Sequence, residues 1–205
     1  SINPVTGEND LMIPSQVYLN NHDLRLYFEG SDAAYFINKN LYNRFGQKDF
    51  EKFALLFGCK DSPKRIQIES KLTWQEKVIL RNNRGYTREL HTRDYNYDGL
   101  ENVINDMNID KSAILYKLLL KSISDYRLNK YDFFDGEYSW FFHRAYPEPF
   151  DSNFKKILCK VKWLYDKNGK QVRSNEIAIS ELADDYLVNE KYSDILEKVL
   201  GFQLD

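Results

Sequence analysis

The sequence predicts an α+β fold, with short amphipathic helices packed against small antiparallel β-hairpins. Three observations predict it. Apolar residues recur at helical spacing in several segments, most plainly in "IDKSAILYKLLLKSISDYRL". Capping signals of the Thr/Asp-x-x-Glu kind stand in front of such stripes. Aromatic runs lie between them, punctuated by Asp-Gly and Asn-Gly, which favour two-residue hairpin turns.

The 205 residues suffice for one large domain or two small ones with real cores. Hydrophobic residues make up 42% and aromatics 15%, the balance of a folded chain. A net charge of -2 argues against a dedicated nucleic-acid binder, which is more often basic. Cys59 and Cys159 each sit in an apolar helical pattern. They read as buried free thiols of a reducing compartment, so a cytoplasmic location is expected. No run of about 18 apolar residues occurs, and no membrane span or membrane partner is expected. No charged segment followed by an apolar one opens the chain, so no signal peptide is read. The first residue is Ser1, and the chain reads as a piece of a longer protein.

Residues 1–16 form a lead-in with two prolines. A mainly helical lobe with an N-terminal hairpin is expected over 17–130, and a hairpin–helix–hairpin–helix lobe over 131–205; one compact domain holding both is the alternative. "VYLNNHDLRLYF" alternates around a polar Asn20-Asn21-His22-Asp23 centre and predicts the first hairpin. Ser31 or Asp32 stands as the next helix cap. Phe50, Phe53, Ala54 and Phe57 then follow one helical face, and Gly58 stands where a C-cap glycine belongs. Thr73-x-x-Glu76 starts a helix carrying Val78, Ile79 and Leu80, and Asp98-x-x-Glu101 starts another. Ile114, Leu115, Leu118, Leu119 and Ile123 make a wide stripe on a helix beginning at Asp110.

The period then changes. Asp135-Gly136 reads as the turn of an aromatic hairpin ended by "PEPF". Ser152 caps a helix whose Phe154, Ile157, Leu158 and Val161 face inward, which leaves its lysines outward without any ligand. Trp163-Leu164-Tyr165 and Gln171-Val172 pair across Asn168-Gly169. Ser180 caps a connector, and a last helix starts at Ser193 or Asp194 and ends at Gly201. The stretches Tyr18–Gly58 and Trp163–Gly201 both read hairpin, connector, helix, glycine, which predicts two similar lobes from a duplicated subdomain.

Three sets of residues are candidates for chemistry or binding. Asp94, Asn96, Asp98 and Gly99 match the opening of a calcium loop, where side-chain oxygens alternate and a glycine turns. Asn105 replaces the bidentate glutamate that closes such a loop, and a helix capped by Asp98 is the competing reading. Asp61, Glu69 and Lys71 mimic the acidic–x–lysine pattern of metal-dependent nucleases, in which carboxylates hold Mg²⁺ and the lysine orients water. The plainer reading is a solvated strand end. Arg81, Arg84, Arg88 and Arg93 flank Tyr86, and Lys155 and Lys156 add charge further on. Such residues grip phosphates and stack bases, or else line a solvated loop between two helices. His22, His91 and His143 lack zinc spacing, and no phosphate-cradling glycine motif or G-x-S-x-G elbow occurs.

The order of motifs "RDYNYDGLENVI…KSAILYKLLL", then "FFDGEYSWFFHRAYPEPFDSNFKKILCKVKWLYDKNGKQVRSNEIAISEL", then "ILEKVLGF" resembles the middle region of large sacsin-like and NO-VEIN-like proteins. It covers roughly residues 17–204 and is clearest at Asp98-Gly99-Leu100-Glu101, Trp163-Leu164 and Leu200-Gly201-Phe202. Those proteins carry a GHKL-type ATPase domain elsewhere. The Asp-x-Gly-x-Gly loop of that domain's ATP site is absent here, so no cofactor is expected. The resemblance implies a non-enzymatic middle or interaction module whose partners are other domains of the parent or another protein. A nucleic-acid-binding module of a defence or restriction-like system and a metal-dependent nuclease are the alternatives.

Overall fold

The computed structural model describes residues 1–2, 7, 11–31, 34–125, 134–186 and 193–203. Its elements run β1 (Val17–Tyr18), α1 (His22–Tyr27), β2 (Tyr35–Phe36), α2 (Lys39–Phe45), α3 (Gln47–Leu56), β3 (Arg65–Ile68), α4 (Trp74–Arg81) and β4 (Arg88–Tyr97). They continue with α5 (Leu100–Asn105), α6 (Ile109–Asp125), β5 (Asp135–Phe142), β6 (Arg144–Asp151), α7 (Asn153–Lys160), β7 (Leu164–Tyr165), β8 (Gln171–Val172) and α8 (Ser193–Lys198). The fold is α+β. It forms two compact units: Ser1–Lys64 with Asp98–Ser124 and Asp185–Leu187, and Arg65–Tyr97 with Asp125–Asp184 and Val188–Asp205. A division in chain order at residue 130 is not the one the fold makes.

In the first unit β1 and β2 pair in parallel, Val17 with Tyr35 and Tyr18 with Phe36. The expected hairpin over Val17–Phe28 is not formed. The Asn21 side chain accepts the Leu24 amide and starts α1 instead. Leu24, Tyr27 and Phe28 are thereby buried on one helical face. Asn38, not Ser31, caps α2, and Asp32 lies outside the described residues. The α6 stripe is buried as its spacing predicts. Gly99, not Asp98, is the N-cap of α5. Its φ is +76°, and a Cβ there would meet the Phe28 ring at 2.6 Å, so the position demands glycine. Asp98 instead accepts a hydrogen bond from the Tyr18 hydroxyl at 2.9 Å.

The second unit is built on an antiparallel sheet of order β3-β4-β5-β6, with β7-β8 as a separate pair. Asp135-Gly136 is not a turn. Both residues lie in β5, opposite Asp151 and Phe150, and the β5–β6 hairpin reverses at His143, whose φ is +61°. Gly136 is small for another reason: a Cβ there would run into the Phe150 ring and stand 2.8 Å from the Arg93 carbonyl oxygen. "PEPF" does not end the hairpin either, because Pro147 and Pro149 lie within β6, the edge strand. Tyr138, Trp140 and Phe150 form the core of this face, with Leu72, Leu80 and Tyr146 against it. The Thr73–Glu76 capping box forms at α4, and the Ser152 side chain accepts the Lys155 amide at α7.

β7 and β8 pair as predicted around Gly169. The connector beyond them is two 3-10 turns, Ser174–Glu176 and Ile179–Glu181, with Ser180 inside the second rather than in front of a helix. Gly201, at φ +75°, closes α8, where its amide reaches the Glu197 carbonyl and Phe202 reaches Leu196. The side chains of Ser193 and Asp194 lie outside the described set. The two chain ends therefore differ: one pairs strands in parallel across a helix, the other antiparallel across a tight turn. That difference removes the duplicated subdomain. Cys59 and Cys159 are half-buried rather than buried, and burial pushes both thiols up.

Candidate functional site

The arginine-rich stretch is not a loop between two helices. It runs from the end of α4 into β4, and its charges are largely spoken for. Arg81 is 6% exposed. Its Nε donates to the Tyr138 hydroxyl at 2.8 Å, and its guanidinium lies over Tyr86 at 3.7 Å and Trp74 at 4.6 Å. It is therefore a structural cation and cannot reach a phosphate. Arg84 pairs with Glu148 at 2.6 Å, and Lys155 pairs at 2.5 Å with Asp151, the last residue of β6. Lys156 lies over the Phe150 ring at 5.7 Å. Arg88 and Arg93 remain exposed on β4. The six basic residues thus do not form one free anionic-ligand surface.

The calcium-loop residues sit in extended chain. Asp94 and Asn96 belong to β4, where alternate side chains share one face without curling around an ion. Asp94 Oδ1 accepts the amides of Tyr95 and Asn153, at 2.7 and 2.8 Å, and Asn96 Oδ1 accepts the Tyr97 amide. Asp98 belongs to the other unit and binds Tyr18. The nuclease residues are likewise divided. Asp61 lies in the first unit, paired with Lys121 at 2.8 Å, whereas Glu69 and Lys71 lie in the second, exposed beyond the end of β3. Neither unit assembles the carboxylate pair that the Mg²⁺ chemistry requires. Among the described residues no three His, Cys, Asp or Glu side chains converge as a metal site.

What sequence reasoning missed is exposed apolar surface. In the first unit, Phe45 closes α2, and Phe53, Leu56 and Phe57 run along and just past α3. They are 62%, 53%, 85% and 61% exposed. The rings lie in a row: Phe45 stacks on Phe50 at 5.7 Å, Phe50 is 6.0 Å from Phe53, and Phe53 is 4.6 Å from Phe57. Phe45, Asp49, Phe50 and Phe53 line a groove of about 280 Å³. Phe50, Phe53, Ala54 and Phe57 share the helical face that their spacing predicts, and Ala54 is its buried member. A signal was present: Leu55-Leu56-Phe57 is apolar on more sides than one packed face needs. In the second unit, Trp74, Val78 and Ile79 leave the outer side of α4 apolar.

A second cavity, of about 390 Å³, opens on the sheet beside Arg65, Tyr95, Glu137 and Pro149. Its charged side chains already have partners. Arg65 lies 3.5 Å over the Tyr95 ring and donates to the Asp135 carbonyl at 2.9 Å. Glu137 contacts His91 Nε2 across the β4–β5 pair. Among the described residues no helix is long and apolar enough to cross a membrane.

No protein-family model matches this chain, and no curated protein or solved structure matches it.

Proposed function

We propose that this chain is a non-catalytic interaction module, the middle segment of a larger sacsin-like GHKL-type ATPase of the cytoplasm, which binds a partner or transduces motion between domains. The observation that carries this reading is the row of exposed phenyl rings on α2 and α3. Exposed aromatic side chains in a continuous row mark surfaces that other proteins cover. The apolar outer side of α4 is a second such surface. The order of cap, hairpin and core motifs, from Asp98-Gly99 to Leu200-Gly201-Phe202, motivates the choice of parent.

Two experiments test it. The purified chain should turn over neither ATP, nor a nitrophenyl ester, nor single-stranded DNA with Mg²⁺; enzymic rates on any of them reject a non-catalytic role. The gene upstream of Ser1 should encode Asp-x-Gly-x-Gly in frame. A parent lacking that motif rejects the ATPase assignment while leaving the interaction role standing.

A further inference from the structure

The groove on α2 and α3 has one charged member. Asp49 sits among Phe45, Phe50 and Phe53 in its lining. Its carboxylate has no hydrogen bond or ion pair among the described residues, whereas its neighbour Glu51 accepts from Gln47 at 3.0 Å. A lone carboxylate in a groove lined by three phenyl rings has a definite complement. Phenyl faces carry negative potential and attract cations, and a carboxylate attracts them further. The aliphatic stem of a lysine or arginine covers the rings while its head reaches the carboxylate. An anionic or purely polar segment gains nothing from this lining. The basic residues Lys48 and Lys52 lie on the same helix, so the preference is local to the groove rather than a property of the surface charge.

We infer that this groove docks a protein segment that presents a lysine or arginine beside apolar side chains. The inference rests on the interaction role proposed above and specifies its partner chemistry. The cation would lie against Asp49, between the exposed Phe45 and Phe53 rings, and the apolar neighbours would cover Leu56 and Phe57.

The test uses the 205-residue chain and two labelled amphipathic helical peptides of equal length, one of leucine and lysine, the other of leucine and glutamate, read by fluorescence polarisation. The lysine peptide should bind more tightly. Asp49→Asn should weaken it by about three- to tenfold, and Asp49→Lys should reverse the preference. Glu51→Lys changes net charge equally but lies off the groove, and it should leave the preference in place. A preference that Asp49→Lys and Glu51→Lys move alike overturns the inference, because bulk charge then explains it. Equal binding of both peptides, abolished by Phe53→Asp, also overturns the cationic specificity but keeps the docking role. Binding of neither peptide rejects both.

Discussion

Arg81 Nε donates to the Tyr138 hydroxyl at 2.8 Å, with both side chains buried and the guanidinium laid over Tyr86 and Trp74. A residue selected by pattern as a phosphate grip is the pin between a helix end and the centre of a sheet. The energetic argument is asymmetric. Removing the arginine leaves a buried hydroxyl without its donor and an aromatic cluster without its cation.

Arg81→Met should therefore destabilise the chain by about 2–3 kcal/mol in urea unfolding. Arg81→Met combined with Tyr138→Phe should cost less than the sum of the two single changes, with a coupling of about 1 kcal/mol. Strict additivity would mean that the hydrogen bond contributes nothing.

Gly136→Ala should destabilise by about 1–3 kcal/mol through overpacking. Shortening the ring with Phe150→Leu should recover only part of the loss, because the Arg93 carbonyl oxygen also stands 2.8 Å from the new Cβ. Full recovery in the double variant, measured by thermal unfolding, would show that the backbone contact is immaterial.

Alkaline stability has a defined sign. Burial, with the Asp98 charge behind it, holds the Tyr18 phenol well above its ordinary range, and burial does the same for Tyr27. Burial, with Tyr186 behind it, pushes Tyr116 up to about 12. The folded chain keeps these protons where the unfolded chain, titrating near about pH 10, gives them up. Their contribution is complete below about pH 10 and declines as pH rises from there through the folded values. Each such phenol steepens that decline. Tyr116→Phe should make the fall between about pH 10 and 12 shallower, as read by urea unfolding across that range.

Ile79→Lys should change stability by no more than about 0.5 kcal/mol, whereas Leu80→Ala should cost more, about 1–3 kcal/mol. Ile79 is 73% exposed, and its neighbour packs against Tyr138, Trp140 and Phe150. Equal effects in denaturant melts would show that the outer side of α4 is covered within the chain itself.

The same contrast explains what the sequence made legible. Caps that act within four residues were readable: Thr73 with Glu76, Ser152 with the Lys155 amide, and the Asn168-Gly169 turn. So was the α6 stripe, whose period repeats over several turns. Signals with two physical meanings misled. Asn21 offers the same side chain to a helix start as to a hairpin centre. Asp135-Gly136 looks like a turn, but its glycine makes room for Phe150, a ring that approaches from the facing strand. Asp94 and Asn96 alternate as calcium ligands do and equally as residues of a strand face do. The candidate groove was legible as a helix and illegible as a surface, since periodicity reports which side is apolar and not what lies against it.

The edge strand β6 carries a consequence for how copies of this chain behave at high concentration. The Ser152 amide points inward to the Phe134 carbonyl, so by alternation the odd-numbered positions before it point away from the sheet. Pro147 and Pro149 occupy two of them and offer no N–H to an incoming strand. Strand-by-strand polymerisation at that edge is therefore disfavoured, even though the chain exposes enough phenyl and indole surface elsewhere to be sticky. Self-association that runs through those exposed rings should be reversible by detergent and carry no gain in β-structure.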